Sequence, residues 1–240
     1  MDLKEESLLC GRIDQHWYYR AKLAALLQTM DGLPACKMLD IGAGSGFFSR
    51  ALLQTGRAAE AVCVDTAYPA DRAELVAGRP LLFRRTFPAQ EAEFGLVIMM
   101  DVLEHIQDDV GFTRDYVDQF RSGTRVIVTV PAFQWLWSGH DVFLEHYRRY
   151  TLPGLDAVLR AAGLRVEFGS YYYGTILPIA AALRLGRRLL GDRGQEAKSD
   201  MRQTGPLLNT LLLGLCRAEL PLMRVNRLAG LSVFARAYKP

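Results

Sequence analysis

The chain has 240 residues, half of them hydrophobic and 23% charged, which suits one folded α/β domain with additions and excludes a disordered or fibrous polypeptide. Its 29 Lys and Arg against 26 Asp and Glu leave a net charge of +3, too small to argue for nucleic-acid binding. Cys10, Cys36, Cys63 and Cys216 are scattered, without C-x-x-C or His spacing, so neither a structural metal nor a disulfide framework is expected.

The opening MDLKEESLLC has no basic stretch leading into an apolar run, and the expectation is a cytoplasmic protein. Residues 12–30 carry helical spacing with aromatics at the start, and Gly32-Leu33-Pro34 closes that helix. Next comes MLDIGAGSGFFSRALL, residues 38–53, in which an apolar strand ends near Asp40 and runs through Gly42, Gly44 and Gly46 into an amphipathic helix. Glycines there let a ligand approach the main chain, and the first N–H groups of the helix point into the same space.

Further on, the pattern alternates: strand 61–65, helix about 70–77, strands 81–84 and 95–100, helix 109–121, strand 124–130, helix 152–162 and strand 163–173, with GLSVFARAYKP as the last strand. That rhythm means a mostly parallel sheet covered by helices. Asp65 and Asp101 close two of the apolar strands, where open α/β sheets bind ligands, and a carboxylate at Asp65 can accept from both hydroxyls of a ribose. Each Asp is also a favoured helix cap. A dinucleotide fingerprint would need a third glycine where Phe47 stands.

Asp40-x-Gly42-x-Gly44-x-Gly46, with Asp65 and the DVLEH segment at residues 101–105, resembles the class I S-adenosylmethionine-dependent methyltransferases. The resemblance implies a seven-stranded sheet in a three-layer αβα sandwich, its last strand antiparallel between its neighbours. It implies S-adenosylmethionine as cofactor, with the glycine loop against the methionine part and Asp40 helping to position its ammonium group. The cofactor candidates are then Asp40, Gly42, Ala43, Gly44, Gly46, Asp65, Thr66, Asp101 and Val102. Where many relatives place an acid or amide near adenine, this chain has Arg84, Arg85, Thr86 and Phe87. His16-Trp17-Tyr18 is similar to a segment of a lid helix in some of these enzymes; core packing is the other reading.

Methyl transfer is an in-line displacement, so alignment and exclusion of water are the main tasks, with a base needed for a protonated nucleophile. Residues 130–151 concentrate the candidates. W-S-x-H-D followed by H-x-R-R-Y resembles a subgroup linked to cell-envelope glycan or lipid-linked saccharide pathways. His140 is the preferred general base, with Asp141 as runner-up or orienting group. Trp17, Trp137, His146, Arg148 and Tyr150 are the substrate candidates, and Arg149 is a further one. These polar groups could instead satisfy one another and pin the loop. His105 reads equally as pocket lining or scaffold.

The single domain divides into a lid helix (1–35), a core (36–173), a helical insertion (174–228) and the last strand (229–240). The insertion is strongly apolar, yet Pro178, Arg184 and Asn209 interrupt runs too short to span a bilayer. From residue 175 onward eleven Lys or Arg stand against four Asp or Glu, and Arg187, Arg188, Arg217, Arg224 and Arg227 flank the apolar segments. Two readings stay open: helices lying in a membrane interface, or helices packed on the sheet, lining a substrate pocket or forming a homodimer contact. The reading reached is methyl transfer to an O, N or C atom of a small-to-medium, amphipathic acceptor, lipid-linked saccharide or quinone-like. The alternatives are an NAD(P)-dependent oxidoreductase and a non-catalytic cofactor-binding module.

Overall fold

The computed structural model describes Leu9, residues 12–87, 93–189, Ser199 and residues 204–240; Cys10 and the side chains of Arg187 and Arg188, on which the membrane-interface alternative partly rests, lie outside the described residues. Among the described residues eight strands form one sheet, in the order β3 (Arg72–Val76), β4 (Arg79–Arg84), β2 (Ala58–Val64), β1 (Cys36–Ile41), β5 (Leu96–Met100), β6 (Arg125–Pro131), β8 (Ser232–Tyr238) and β7 (Arg165–Tyr172). Its parallel part comprises β1 (Cys36–Ile41), β2 (Ala58–Val64), β4 (Arg79–Arg84), β5 (Leu96–Met100) and β6 (Arg125–Pro131). Strands covered on both faces need apolar residues at every position rather than at alternate ones, and all five residues of β5 are buried. β8 (Ser232–Tyr238) lies antiparallel between β6 and β7 (Arg165–Tyr172), as the sequence reading expects.

The sheet has eight strands rather than seven. The segment read as a helix over about 70–77 is instead β3 (Arg72–Val76), paired antiparallel with β4. Ala77 and Gly78 both take positive φ, +50° and +76°, and Val76 pairs with Arg79, which makes a two-residue hairpin turn of the kind that matches strand twist. A helix would have buried little, since of the five residues of β3 only Val76 is buried. Instead the Arg72 guanidinium stacks 3.6 Å from the Phe83 ring centroid and Glu74 accepts from Arg50 Nε at 2.8 Å.

Two apolar layers sandwich the sheet. On one face lie α1 (Trp17–Thr29), α2 (Phe47–Gln54) and α7 (Pro206–Met223), contributing Leu26, Leu52 and Cys216; on the other lie α3 (Asp109–Val117) and α5 (Leu152–Ala161), contributing Val117, Leu155 and Leu159. The remaining helices, α4 (Gly139–Phe143) and α6 (Leu177–Leu189), sit beyond the strand ends and flank a cavity. Cys36, Cys63 and Cys216 are free thiols.

The insertion packs onto the fold. Asn209 of α7 accepts from Trp17 N at 2.8 Å and donates to the Gln15 carbonyl at 3.0 Å, so a polar residue inside an apolar helix serves as the cap that α1 lacks locally. Buried Glu219 accepts from Gly174 N (2.6 Å) and Thr175 N (2.9 Å), which fixes the turn into α6. Among the described residues no helix is long and apolar enough to cross a membrane.

Candidate active site

Between β1 and α2 the chain turns through Gly42, Gly44 and Gly46, with φ of +66°, +52° and +77°. A Cβ on Gly42 would stand 2.8 Å from Val102 Cγ2, so backbone and space both demand glycine there. Asp65, at the end of β2, accepts from Gly44 N with Oδ2 and from Ala67 N with Oδ1, both at 2.9 Å. Tyr68 adds a hydroxyl donated to the Gly44 carbonyl at 2.7 Å. Each Asp65 oxygen keeps acceptor capacity for a further donor, and the residue is half-buried.

Of the other cofactor candidates, Ala43 and Val102 are buried apolar supports and Thr66 is exposed beside Asp65. Asp40 is buried and accepts from Ser49 Oγ at 2.7 Å, which ties β1 to the first turn of α2. Burial, only partly offset by that hydrogen bond, pushes its carboxyl up to about 7. Asp101 stands at φ +55° with Oδ1 accepting from Thr129 Oγ1 at 2.9 Å and its other oxygen ion-paired to the buried Lys22 of α1. Burial alone would lower the Lys22 ammonium and raise the Asp101 carboxyl. Their pairing, with the Tyr18 hydroxyl 2.6 Å from Lys22 Nζ, reverses both shifts. Lys22 escaped the sequence reading because 79 residues separate it from its partner.

A cavity of about 540 Å³ lies between the turn after β5, the loop that carries α4, and helices α1, α6 and α7. One end is polar, with Glu104, His105, His140, His146 and Arg149; the wall and mouth are apolar, with Ile179 and Leu183 of α6 and Leu208 and Leu211 of α7. Trp17, Tyr18 and Asp101 also line it. Of the catalytic and substrate candidates, the structure gathers Trp17, His140, His146 and Arg149 around this space.

The others are placed elsewhere. Asp141 is fully buried: it accepts two bonds from Arg149 (2.7 and 3.0 Å), one from Ser138 N (2.8 Å), and pairs with His146 Nδ1 at 2.9 Å. Burial would raise its carboxyl, but His146 and Arg149 outweigh that and hold it well below the usual range. Asp141, read from the sequence as runner-up base or orienting group, holds His146 and Arg149 and does not line the cavity. Tyr150 is buried and donates to Asp109 Oδ2 at 2.7 Å, and Arg148 pairs with the same carboxylate at 3.1 Å; both pin the loop and neither lines the cavity. Trp137 does not line it either.

Glu104 and His105 occupy a single 3-10 turn, Leu103–His105, directly after β5. Glu104 is fully buried, and among the described residues neither carboxylate oxygen has a hydrogen-bond partner. Burial, reinforced by Asp101, raises its carboxyl well above the ordinary value. His105 meets the His146 ring edge-on at 4.6 Å, and burial, with His146 nearby, draws its imidazole down to about 4.

A family model described as "Methyltransferase domain" matches residues 15–167. A comparison with curated proteins finds no significant match. Among solved structures, the chain is similar to a complex between the Haloferax volcanii Trm112 methyltransferase activator and its putative methyltransferase, with 15% identity, TM-score 0.57, and 99% of this chain and 96% of that chain covered. A SAM-dependent methyltransferase from Archaeoglobus fulgidus is similar at 14% identity and TM-score 0.54, covering 99% and 98%. Phosphoethanolamine N-methyltransferase 2 of Haemonchus contortus, in complex with S-adenosyl-L-methionine, is similar at 16% identity and TM-score 0.52, covering 91% of this chain and 52% of that one. The glycine cradle at Gly42 and the spare acceptor capacity of Asp65 fit an amino-acid and ribose group, and the chain belongs to the methyltransferase-domain family as an S-adenosylmethionine-dependent methyltransferase.

Proposed function

We propose that this enzyme methylates a polar atom, an oxygen in the favoured case, on a small-to-medium amphipathic acceptor such as a lipid-linked saccharide or a quinone-like compound. The observation that carries this is the division of the cavity into a histidine-rich end and a leucine-rich wall that continues to the surface, where Leu183 and Leu211 are each about 60% exposed. A wholly polar acceptor would leave that wall wet, at a cost of roughly 25 cal/mol for each Å² of apolar surface left uncovered.

When bound, S-adenosylmethionine supplies the electrophilic methyl group. Gly42, Gly44, Gly46 and Asp65 would hold it, with Asp40 supporting the loop from below and Asp101 at the junction between cofactor and acceptor spaces. His140 is the proposed base and Trp17 closes the cofactor side. Asp141 acts through His146, whose Nδ1 it holds.

A methyl-transfer assay with radiolabelled cofactor, run on matched acceptors with and without an apolar tail, tests this reading. Preference for the tailed acceptor by at least tenfold in kcat/KM, abolished in Leu211→Asp, is the expected result; equal use of both removes the amphipathic assignment. Unchanged turnover by His140→Ala removes the base assignment alone.

The same surface favours peripheral membrane contact as a second reading, because Leu207 and Leu228 are about 90% exposed on the insertion. Sedimentation with anionic vesicles, compared with a Leu207→Asp/Leu228→Asp variant, decides it. Equal absence of binding discards membrane contact, and a concentration-dependent dimer lost in the variant assigns the patch to self-association.

A further inference from the structure

We propose that Glu104, His105 and His146 form a binding site for a divalent transition-metal ion at the polar end of the acceptor cavity. One ligand atom from each lies within 4.8 Å of the others. Coordination bonds to imidazole nitrogen and carboxylate oxygen are about 2.0–2.2 Å long, so the three side chains must draw in by less than about 1 Å each, within the reach of small χ adjustments. The sequence reading expected no metal because its cysteine and histidine spacings carry no ligand motif. Here the ligands come from a turn after β5 and a loop 41 positions further on, a conjunction that only the fold creates.

Three observations point to an ion rather than to a chance cluster. Glu104 is fully buried with both carboxylate oxygens unpartnered among the described residues, a costly arrangement that a cation would satisfy. His146 has Nδ1 engaged by Asp141, which leaves Nε2 as the free ligand atom on the cavity side. Asp141 is itself held by two bonds from Arg149 and one from Ser138 N. A carboxylate that fixes the tautomer and aim of a histidine is the support that metal-bound imidazoles usually have.

The donor set names the ion class. Two imidazoles and one carboxylate, without thiolate, suit Mn²⁺, Fe²⁺, Co²⁺ or Zn²⁺ better than Mg²⁺ or Ca²⁺, which favour all-oxygen sites. Three protein ligands leave coordination positions open, and all three residues face the acceptor cavity. An ion held by these three residues would make an acceptor oxygen beside it lose its proton to His140 more readily, and that oxygen would form the new C–O bond as the methyl C–S bond breaks, with the electron pair passing to sulfur. That last role rests on the methyl-transfer reading; the metal site does not.

The test uses the whole chain, freed of metal with EDTA and titrated separately with Mn²⁺, followed by electron paramagnetic resonance, and with Zn²⁺, followed by calorimetry. The expected result is one saturable equivalent per chain in the wild type, weakened at least tenfold in Glu104→Gln and in His146→Asn, with S-adenosylhomocysteine binding unchanged in both. No saturable equivalent in the wild type, or equal affinity in both variants, overturns the site. Should near-ultraviolet circular dichroism show either variant misfolded, His105→Asn takes its place under the same criteria. Metal binding without S-adenosylhomocysteine binding would count against methyl transfer while leaving the site standing.

Discussion

The Lys22 ammonium on α1 is fully buried and paired with the Asp101 carboxylate at the end of β5, so the helix whose Trp17 and Tyr18 line the cavity is tied to the strand end that lines it too. Removing one partner of such a pair leaves an uncompensated charge, which costs about 3–5 kcal/mol. Lys22→Met should therefore lower the urea midpoint strongly and weaken S-adenosylhomocysteine binding. Lys22→Met/Asp101→Asn should recover much of the stability but not the affinity. Equal midpoints for the single variant and the wild type would mean that the ion pair does not hold the lid.

Asp65→Ala tests the cofactor site with little effect on the core. Its carboxylate stands half-buried and holds the N–H groups of Gly44 and Ala67. Calorimetry with S-adenosylhomocysteine should show affinity falling by more than tenfold, while the melting temperature moves by only a few degrees. Gly42→Ala should lose both, because its Cβ meets Val102 and its φ is positive.

Arg149 divides its bonds between Asp141 and the Ala132 carbonyl. Arg149→Met would strand a buried carboxylate and cost roughly 3–5 kcal/mol. Arg149→Lys should recover only part of this, since a single ammonium cannot reproduce the planar fork. Denaturant unfolding of the three proteins at neutral pH checks the order wild type, Lys, Met; a Lys variant as stable as the wild type would show that charge alone suffices.

Asp40 gives a pH dependence with a definite sign. Its folded carboxyl titrates near 7 against an ordinary value of 3.8, so between those values the folded state keeps a proton that the unfolded state has released. Stability from this group is therefore lost as pH rises from about 4 to about 7, by an amount on the order of 2–4 kcal/mol. Urea midpoints of wild type and Asp40→Asn across pH 5–8 should diverge in the variant's favour as pH rises. Parallel curves would show that Asp40 ionises freely.

The glycine turn and the strands around it were legible in the sequence because their signals are local: glycines at alternate positions, acids closing apolar strands, and strand–helix alternation all act over a few residues. The β3 hairpin was missed because Arg72–Val76 carries helix-compatible residues, and only the Ala77-Gly78 turn reveals its pairing. In the loop, Ser138 with Asp141 three positions later has the spacing of a capping box, which foretells that Asp141 turns inward. The partners of Lys22 and Glu104 were not legible, since burial and long-range pairing are properties of the assembled sheet. The insertion was read as helical, as α6 and α7 are, and among the described residues no helix is long and apolar enough to cross a membrane; its anchor at Asn209 looked in the sequence like an interruption.

The strand order makes the two halves of the molecule unequal in time. Among the described residues β7 pairs with no strand but β8, and β8 alone joins it to β6. During synthesis, β1 through β6 can assemble as soon as they emerge, giving the glycine cradle early. β7 must wait about sixty residues for its bridge, until both insertion helices have been made. Wall and sheet closure should then form as one late cooperative unit, seen in pulsed hydrogen exchange as slow protection of Ser232–Tyr238 together with α7 and fast protection of β1 and β5.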